Sequence, residues 1–188
     1  SIEPTGTYFK RVIQGDISVS DYDLTADIII PLLCKANQPF ELYNFTYTLT
    51  KITTLNGSLL DNIEKPSIEK INFKSADGTE IEGFVVKPIG FDATKKYPTI
   101  LWIHGGPVSQ YQFEYDMEPQ LYAANGYVTL LINPRGSSGY GQAFAEALFA
   151  DWGNKDYQDV IAAVDYVIGQ GYADPSKLGV GGWSYGGI

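Results

Sequence analysis

Gly182-Trp183-Ser184-Tyr185-Gly186 matches the pattern G-x-S-x-G. With 20 glycines in 188 residues, chance alone yields roughly 0.1 such matches per chain, so the string is weak without its surroundings. The surroundings strengthen it. A β-strand is expected over Lys177–Val180, directly before the motif. An amphipathic helix from about Lys155 to Ile168 precedes that strand. In it Tyr157, Val160, Ile161, Val164 and Val167 share one face, and Asp156 and Asp159 sit near the positive N-terminal end. A serine presented on a sharp strand-to-helix turn sits in strained backbone, where side chains two positions away on either side would collide. Gly182 and Gly186 stand at those two positions, with Gly181 and Gly187 beside them. The backbone N–H of Tyr185 would then point at a developing oxyanion. The alternative is a glycine-rich turn that merely reverses the chain.

Working back toward the N-terminus, strands and helices alternate from Ser67 onward. Ile68–Phe73 and Thr79–Val86 read as two strands joined at Asp77-Gly78, residues that tolerate positive φ. Thr99–Ile103 is an uninterrupted apolar-rich run suited to a strand covered on both faces. A short helix over 117–124 tolerates Pro119 in its first turn and stops at Asn125-Gly126. A buried strand over Tyr127–Ile132 and a helix over Gln142–Ala150 follow, and Asp174-Pro175 marks a turn. This order predicts a largely parallel sheet with helices on its faces. Residues 1–65 differ. They read as short strands with polar turns: Val12, Ile13, Ile17 and Val19 around Gln14-Gly15-Asp16, then Ile28–Leu33, then one aromatic and β-branched strand over Leu42–Leu49. No helical stripe is present there, and a polar stretch from Asn56 to Pro66 serves as a linker.

His104-Gly105-Gly106-Pro107 follows the third strand of the second part. In α/β-hydrolases the loop at this place supplies the second oxyanion N–H, and glycine lets the backbone come close. Gly106 is the expected donor. His104 is the only histidine, which tempts one to make it the catalytic base. The α/β-hydrolase order is Ser, then Asp or Glu, then His, so the base must follow Ser184, and His104 is read as a residue that shapes the loop. The order His104, Asp151, Ser184 would suit chymotrypsin-like barrels, which the parallel α/β pattern opposes.

Composition excludes several other classes. The formal charge is −9, with 22 acidic against 13 basic residues. That field repels phosphate, so neither nucleic acid nor an anionic membrane is an expected partner. The longest apolar run, Ile28–Cys34, is broken by Pro31 and falls short of the roughly 20 residues a membrane helix needs. One cysteine and one histidine give no internal disulfide and no zinc cluster, and no motif calls for a cofactor. The single Cys34 and the absence of a charged-then-apolar leader favour the cytoplasm.

Longer stretches now carry a specific resemblance. Lys96-Tyr97-Pro98 through Pro107, Asn133-Pro134-Arg135-Gly136-Ser137-Ser138-Gly139-Tyr140-Gly141, Asp151-Trp152-Gly153 and Asp174 through Val180 resemble the prolyl oligopeptidase family of serine peptidases, in particular its acylaminoacyl-peptidase-like branch. Asp77 through Gly83 resembles the opening hairpin of that family's catalytic domain. Residues 1–65 resemble, more loosely, the end of the β-propeller that precedes it, through Pro39–Tyr43 and Leu55-Asn56. The resemblance implies an α/β-hydrolase catalytic part over 66–188. It makes Ser184 the acylated nucleophile and Gly106 and Tyr185 the oxyanion donors. It puts the triad Asp and His beyond residue 188, so that these residues alone are not expected to hydrolyse efficiently. Short peptides are the implied substrates. An esterase on the same fold, or a binding module that kept it, are the competing readings. Arg135 is read as structural rather than as a ligand for a substrate carboxylate. Trp102 and Trp183 are expected to pack in the core. Asn44-Phe45-Thr46 and Asn56-Gly57-Ser58 match glycosylation sequons, which matter only in a secreted protein.

Overall fold

The structure, a computed structural model, describes residues 10–188, so the first nine residues of the expected propeller segment lie outside the described residues. The chain divides into two compact units. One holds the described residues up to Asp61 together with Gln112–Tyr115, and the other holds Asn62–Tyr111 and Asp116–Ile188.

The first unit is an antiparallel sheet of β1 (Ser18–Leu24), β2 (Ile29–Lys35), β3 (Gln38–Phe45) and β4 (Leu49–Lys51), in that spatial order. Leu33, Cys34 and Tyr43 are buried in it. The single strand expected over Leu42–Leu49 is instead a hairpin. Phe45 pairs with Leu49, and exposed Tyr47 sits at the tip between them. Threonine and tyrosine fit a strand so well that their pattern hides the reversal. The linker is likewise not wholly irregular: α1 (Gly57–Leu60) is one helical turn with no buried residue.

The second unit continues with β5 (Ser67–Lys74), β6 (Glu80–Lys87), β7 (Tyr97–Ile103), α2 (Met117–Ala124), β8 (Val128–Asn133), α3 (Gln142–Ala145), α4 (Lys155–Gly169) and β9 (Ala173–Gly182). Its sheet runs β5-β6-β8-β7-β9. The β5/β6 and β6/β8 pairs are antiparallel, and β8/β7 and β7/β9 are parallel. All six residues of β8 are buried, as a central strand covered on both faces requires. Ile71, Ile81, Val85, Leu101, Leu130 and Ile132 form the core with Ala163 and Val167 of α4.

Local chemistry accounts for the turns. Between β5 and β6, Asp77 accepts the Thr79 N–H at 3.0 Å, and Gly78 has φ +87°. Asp116 caps α2 by accepting the Glu118 N–H at 3.0 Å, and Pro119 fits in the first turn. The Asp174-Pro175 turn is present as a bulge inside β9. Tyr97 pairs with Ala173 and Thr99 with Leu178, while Asp174 accepts the Ser176 N–H at 3.0 Å.

Two helices differ from expectation. The helix read over Gln142–Ala150 ends at Ala145 and tightens into a 3₁₀ turn, Glu146–Leu148. The tighter turn delivers Leu148 into the interior against Gly136, where a Cβ would stand 2.6 Å from Leu148 Cδ1. In α4 the expected apolar face is used in part. Val167 is buried and Val160 and Val164 pack against the core, while Tyr157 and Ile161 are exposed. Asp156 and Asp159, expected near the positive end of the helix, are buried with Ala163.

Candidate active site

The site lies at the C-terminal ends of β7 and β9, which are hydrogen-bonded neighbours with Ile103 paired to Gly182. After Gly182 the chain stays extended at Trp183 and then turns at Ser184, whose φ is +54°. A serine in the left-handed region is uncommon, and such strain is held only where the surroundings enforce it. Here they do. A Cβ on Gly182 would lie 2.0 Å from the Gly186 carbonyl oxygen, and one on Gly186 would lie 2.2 Å from the Ile103 oxygen. Trp183 N–H donates to Ile103 O at 3.2 Å, and Gly186 N–H to Trp183 O at 2.9 Å, closing a short 3₁₀ turn over Ser184–Gly187. The Ser184 side of this turn faces solvent.

The His104–Pro107 loop leaves the end of β7 and packs on that turn. A Cβ on Gly105 would stand 3.1 Å from Trp183 O and 3.3 Å from Ser184 Cβ. Gly106 has φ +122°, and a Cβ there would meet Val108 N at 2.6 Å. The Gly106-Pro107 peptide is cis. Thus Gly105 lies against Trp183 and Ser184, and Gly182 against Gly186, with Gly106 next in the His104–Pro107 loop.

His104 is buried and fully engaged. Its Nδ1 is 2.7 Å from Gly105 O, its Nε2 is 3.0 Å from Ser137 Oγ, and its ring meets Tyr111 edge-on at 5.2 Å. Burial pulls the imidazole pKa below its usual value, with the Gly105 carbonyl opposing. Both nitrogens are therefore engaged, Nδ1 within its own loop and Nε2 with Ser137 of the loop after β8.

The loop has a second anchor that sequence reasoning did not find. Asn133 ends β8 and is wholly buried. Its Oδ1 accepts the Tyr111 N–H at 2.6 Å and its Nδ2 donates to Tyr111 O at 2.9 Å and to the Tyr140 hydroxyl at 2.7 Å. Tyr140 in turn donates to Glu82 at 2.8 Å. Arg135, two residues on, is enclosed by Asp159, Asp77, Ser75 and the Lys155 carbonyl. Its guanidinium makes a two-pronged contact with Asp159 at 2.7 and 3.0 Å. The hydrogen bonds from Asp159 and then Asp77 raise its pKa against the opposing effect of burial. No donor is left to receive a substrate carboxylate, so Arg135 is structural.

Tyr185 is buried, and its hydroxyl donates to Asp156. Its ring meets Trp152 edge-on at 5.0 Å. Nothing in the sequence marked Asp156 beyond its place in the first turn of a helix. Trp102 packs near Tyr122 at 6.0 Å and over Gly181, whereas Trp183 is 77% exposed rather than in the core. Among the described residues no helix is long and apolar enough to cross a membrane, and no three His, Cys, Asp or Glu side chains gather as a metal site.

Residues 113–188 match the family model described as the prolyl oligopeptidase family. The uncharacterized peptidase YuxL of Bacillus subtilis is 38% identical over 175 residues, covering 90% of this chain and 27% of its own. Dipeptidyl-peptidase 5 of Porphyromonas endodontalis is 33% identical over 185 residues, covering 95% and 27%. Residues 113–188 thus carry the pattern of the prolyl oligopeptidase family, and relatives named as peptidases align with most of the chain. The solved structure of uncomplexed Pyrococcus horikoshii acylaminoacyl peptidase superimposes with a TM-score of 0.87 at 30% identity, covering 96% of this chain and 29% of that one. The mixed sheet with flanking helices is thus shared with peptidases of the α/β-hydrolase fold. The chain spans about a quarter of the length of the curated relatives it matches.

Proposed function

We propose that these residues are part of a longer serine peptidase that hydrolyses short peptides through an acyl-enzyme on Ser184. The observation that carries this reading is the left-handed Ser184 at the end of β9, with the Gly105 backbone packed against its Cβ. Such a turn is a nucleophile elbow. Ser184 Oγ attacks the peptide carbonyl and gives its proton to a base. The carbonyl oxygen becomes an oxyanion held by the N–H groups of Gly106 and Tyr185. The tetrahedral adduct collapses, the amine leaves with a proton from the base, and water then cleaves the ester. The base and its carboxylate partner come from sequence outside these 188 residues, since both His104 nitrogens are engaged by Gly105 and Ser137. The coverage of relatives named as peptidases and dipeptidyl-peptidases supports both the longer chain and the peptide substrate. The four-stranded antiparallel first unit suits a blade of a β-propeller, which would stand before the catalytic domain.

The test is labelling by a fluorophosphonate and cleavage of aminoacyl and peptidyl anilides, both on the full-length protein. Strong labelling and anilide hydrolysis, each abolished by Ser184→Ala, are expected, with weak labelling of the isolated 188 residues. Cleavage of simple esters with refusal of every anilide would replace the peptidase reading by an esterase. Full activity in Ser184→Ala would overturn both.

A further inference from the structure

We infer that Asp156 is a positioning residue that holds the Tyr185 N–H in register for the oxyanion, an inference that rests on the function proposed above. The 3₁₀ turn carrying that N–H is only four residues long, and Tyr185 is its one buried residue. Two backbone bonds close it, from Gly186 N–H to Trp183 O at 2.9 Å and from Ile188 N–H to Tyr185 O at 3.1 Å. Both lie within the turn and neither ties the Tyr185 side of it to another element. The Tyr185 side chain supplies what the short turn lacks.

Its phenol reaches the first turn of α4 and donates to Asp156. That carboxylate is itself fixed, because the Gly153 N–H donates to its two oxygens at 2.9 and 3.1 Å. It also lies at the positive end of a fifteen-residue helix, where a negative charge is favoured. Trp152 closes a further side of the ring. A buried carboxylate needs partners for its lone pairs, and here they are a loop N–H and the tyrosine of the turn. Asp156 touches neither Ser184 nor a substrate. It acts through Tyr185, linking the α4 N-terminus to the turn that presents the nucleophile.

The experiment uses the full-length protein and a peptidyl anilide. Losing an oxyanion donor outright costs about 10²–10³ in kcat. A donor that remains but drifts should cost less, roughly 10–100-fold. Asp156→Ala and Tyr185→Phe are each expected to lower kcat by that factor with KM within about twofold, and the double variant to fall no further than either single one. Affinity for a peptidyl trifluoromethyl ketone, whose hemiketal oxygen occupies the same hole, should weaken in parallel with kcat. Asp156→Asn retains an oxygen for Gly153 N–H and an amide that can donate to the phenol oxygen, so it should restore most of the rate. Tyr185→Phe removes one oxygen only and keeps the test open if Asp156→Ala fails to fold. Wild-type kcat in Tyr185→Phe, or a loss confined to KM, overturns the inference. Anilide hydrolysis that survives Ser184→Ala overturns the function beneath it instead.

Discussion

Replacing Asp159 by Asn should unfold the hydrolase unit at a markedly lower temperature. The Arg135 side chain is 6% exposed and that of Asp159 is wholly buried. Asp159 also accepts the Arg135 backbone N–H at 2.8 Å, so it ties the loop after β8 to α4 twice over. Asparagine removes the charge and one acceptor, leaving the guanidinium facing only Asp77, whose side chain is 46% exposed and open to solvent screening. Breaking a buried pair from one side costs about 3–5 kcal/mol. For a unit of this size, at about 4 °C per kcal/mol, that is roughly 12–20 °C in Tm. Thermal melts of wild type, Asp159→Asn, Arg135→Met and the double variant Arg135→Met/Asp159→Leu measure it. Each single variant should fall by this amount. The double variant should recover only part of the loss: an apolar pair of similar volume avoids desolvating two charges, but leucine at position 159 leaves the Arg135 backbone N–H without its acceptor. An Asp159→Asn protein melting within about 2 °C of wild type would refute the reasoning, as would strictly additive losses in the double variant.

Gly186→Ala should lower kcat/KM at least 100-fold in the full-length protein, because its Cβ would fall 2.2 Å from Ile103 O and 2.8 Å from His104 O, both main-chain atoms that cannot swing away. Gly179→Ala, whose Cβ would rest 3.8 Å from Ile100 Cγ1, serves as the tolerated control. At high pH, burial pushes Tyr172 up to about 12 and also raises Tyr111, Tyr140 and Tyr185, so folding favours their neutral forms. Their contribution to stability is complete below the ordinary value of 10.0 and is lost as pH rises toward 12. Absorbance at 295 nm should therefore show part of the 14 tyrosines ionising only as near-ultraviolet dichroism is lost; titration of all of them near pH 10 with the fold intact would contradict this.

Much of this was readable where one residue type answers one local demand. Gly182 and Gly186 are legible because a Cβ on Gly182 would strike the Gly186 oxygen and one on Gly186 would strike the Ile103 oxygen. Asp77-Gly78 announces a hairpin because its glycine takes a positive φ. What stayed hidden depends on contacts distant in sequence. Asp156 and Asp159 read only as acids near a helix start until Tyr185 and Arg135 arrive from 29 and 24 residues away. The hydrogen bonds these partners supply are what allow two carboxylates to be buried beside Ala163 and Val167. Asn133 reads as a loop residue until its amide is seen to clamp Tyr111.

The sheet order explains why two motifs nearly eighty residues apart in sequence meet. From β7 the chain passes through α2 to β8 on one side, then through α4 to β9 on the other. The direction of winding reverses across β7. Loops leaving the C-terminal ends of β7 and β9 therefore part from a common crevice, the place where open α/β sheets bind ligands. Glycine sets how closely those two loops approach. Ser184 Cβ lies where a Gly105 side chain would have to be, and Ile103 O where a Gly186 side chain would have to be. Topology brings the loops together, and the missing side chains let the His104–Pro107 loop and the serine turn close to contact. The polar anchors at Asn133 and Asp156 then hold each partner from behind, one through Tyr111 and one through Tyr185.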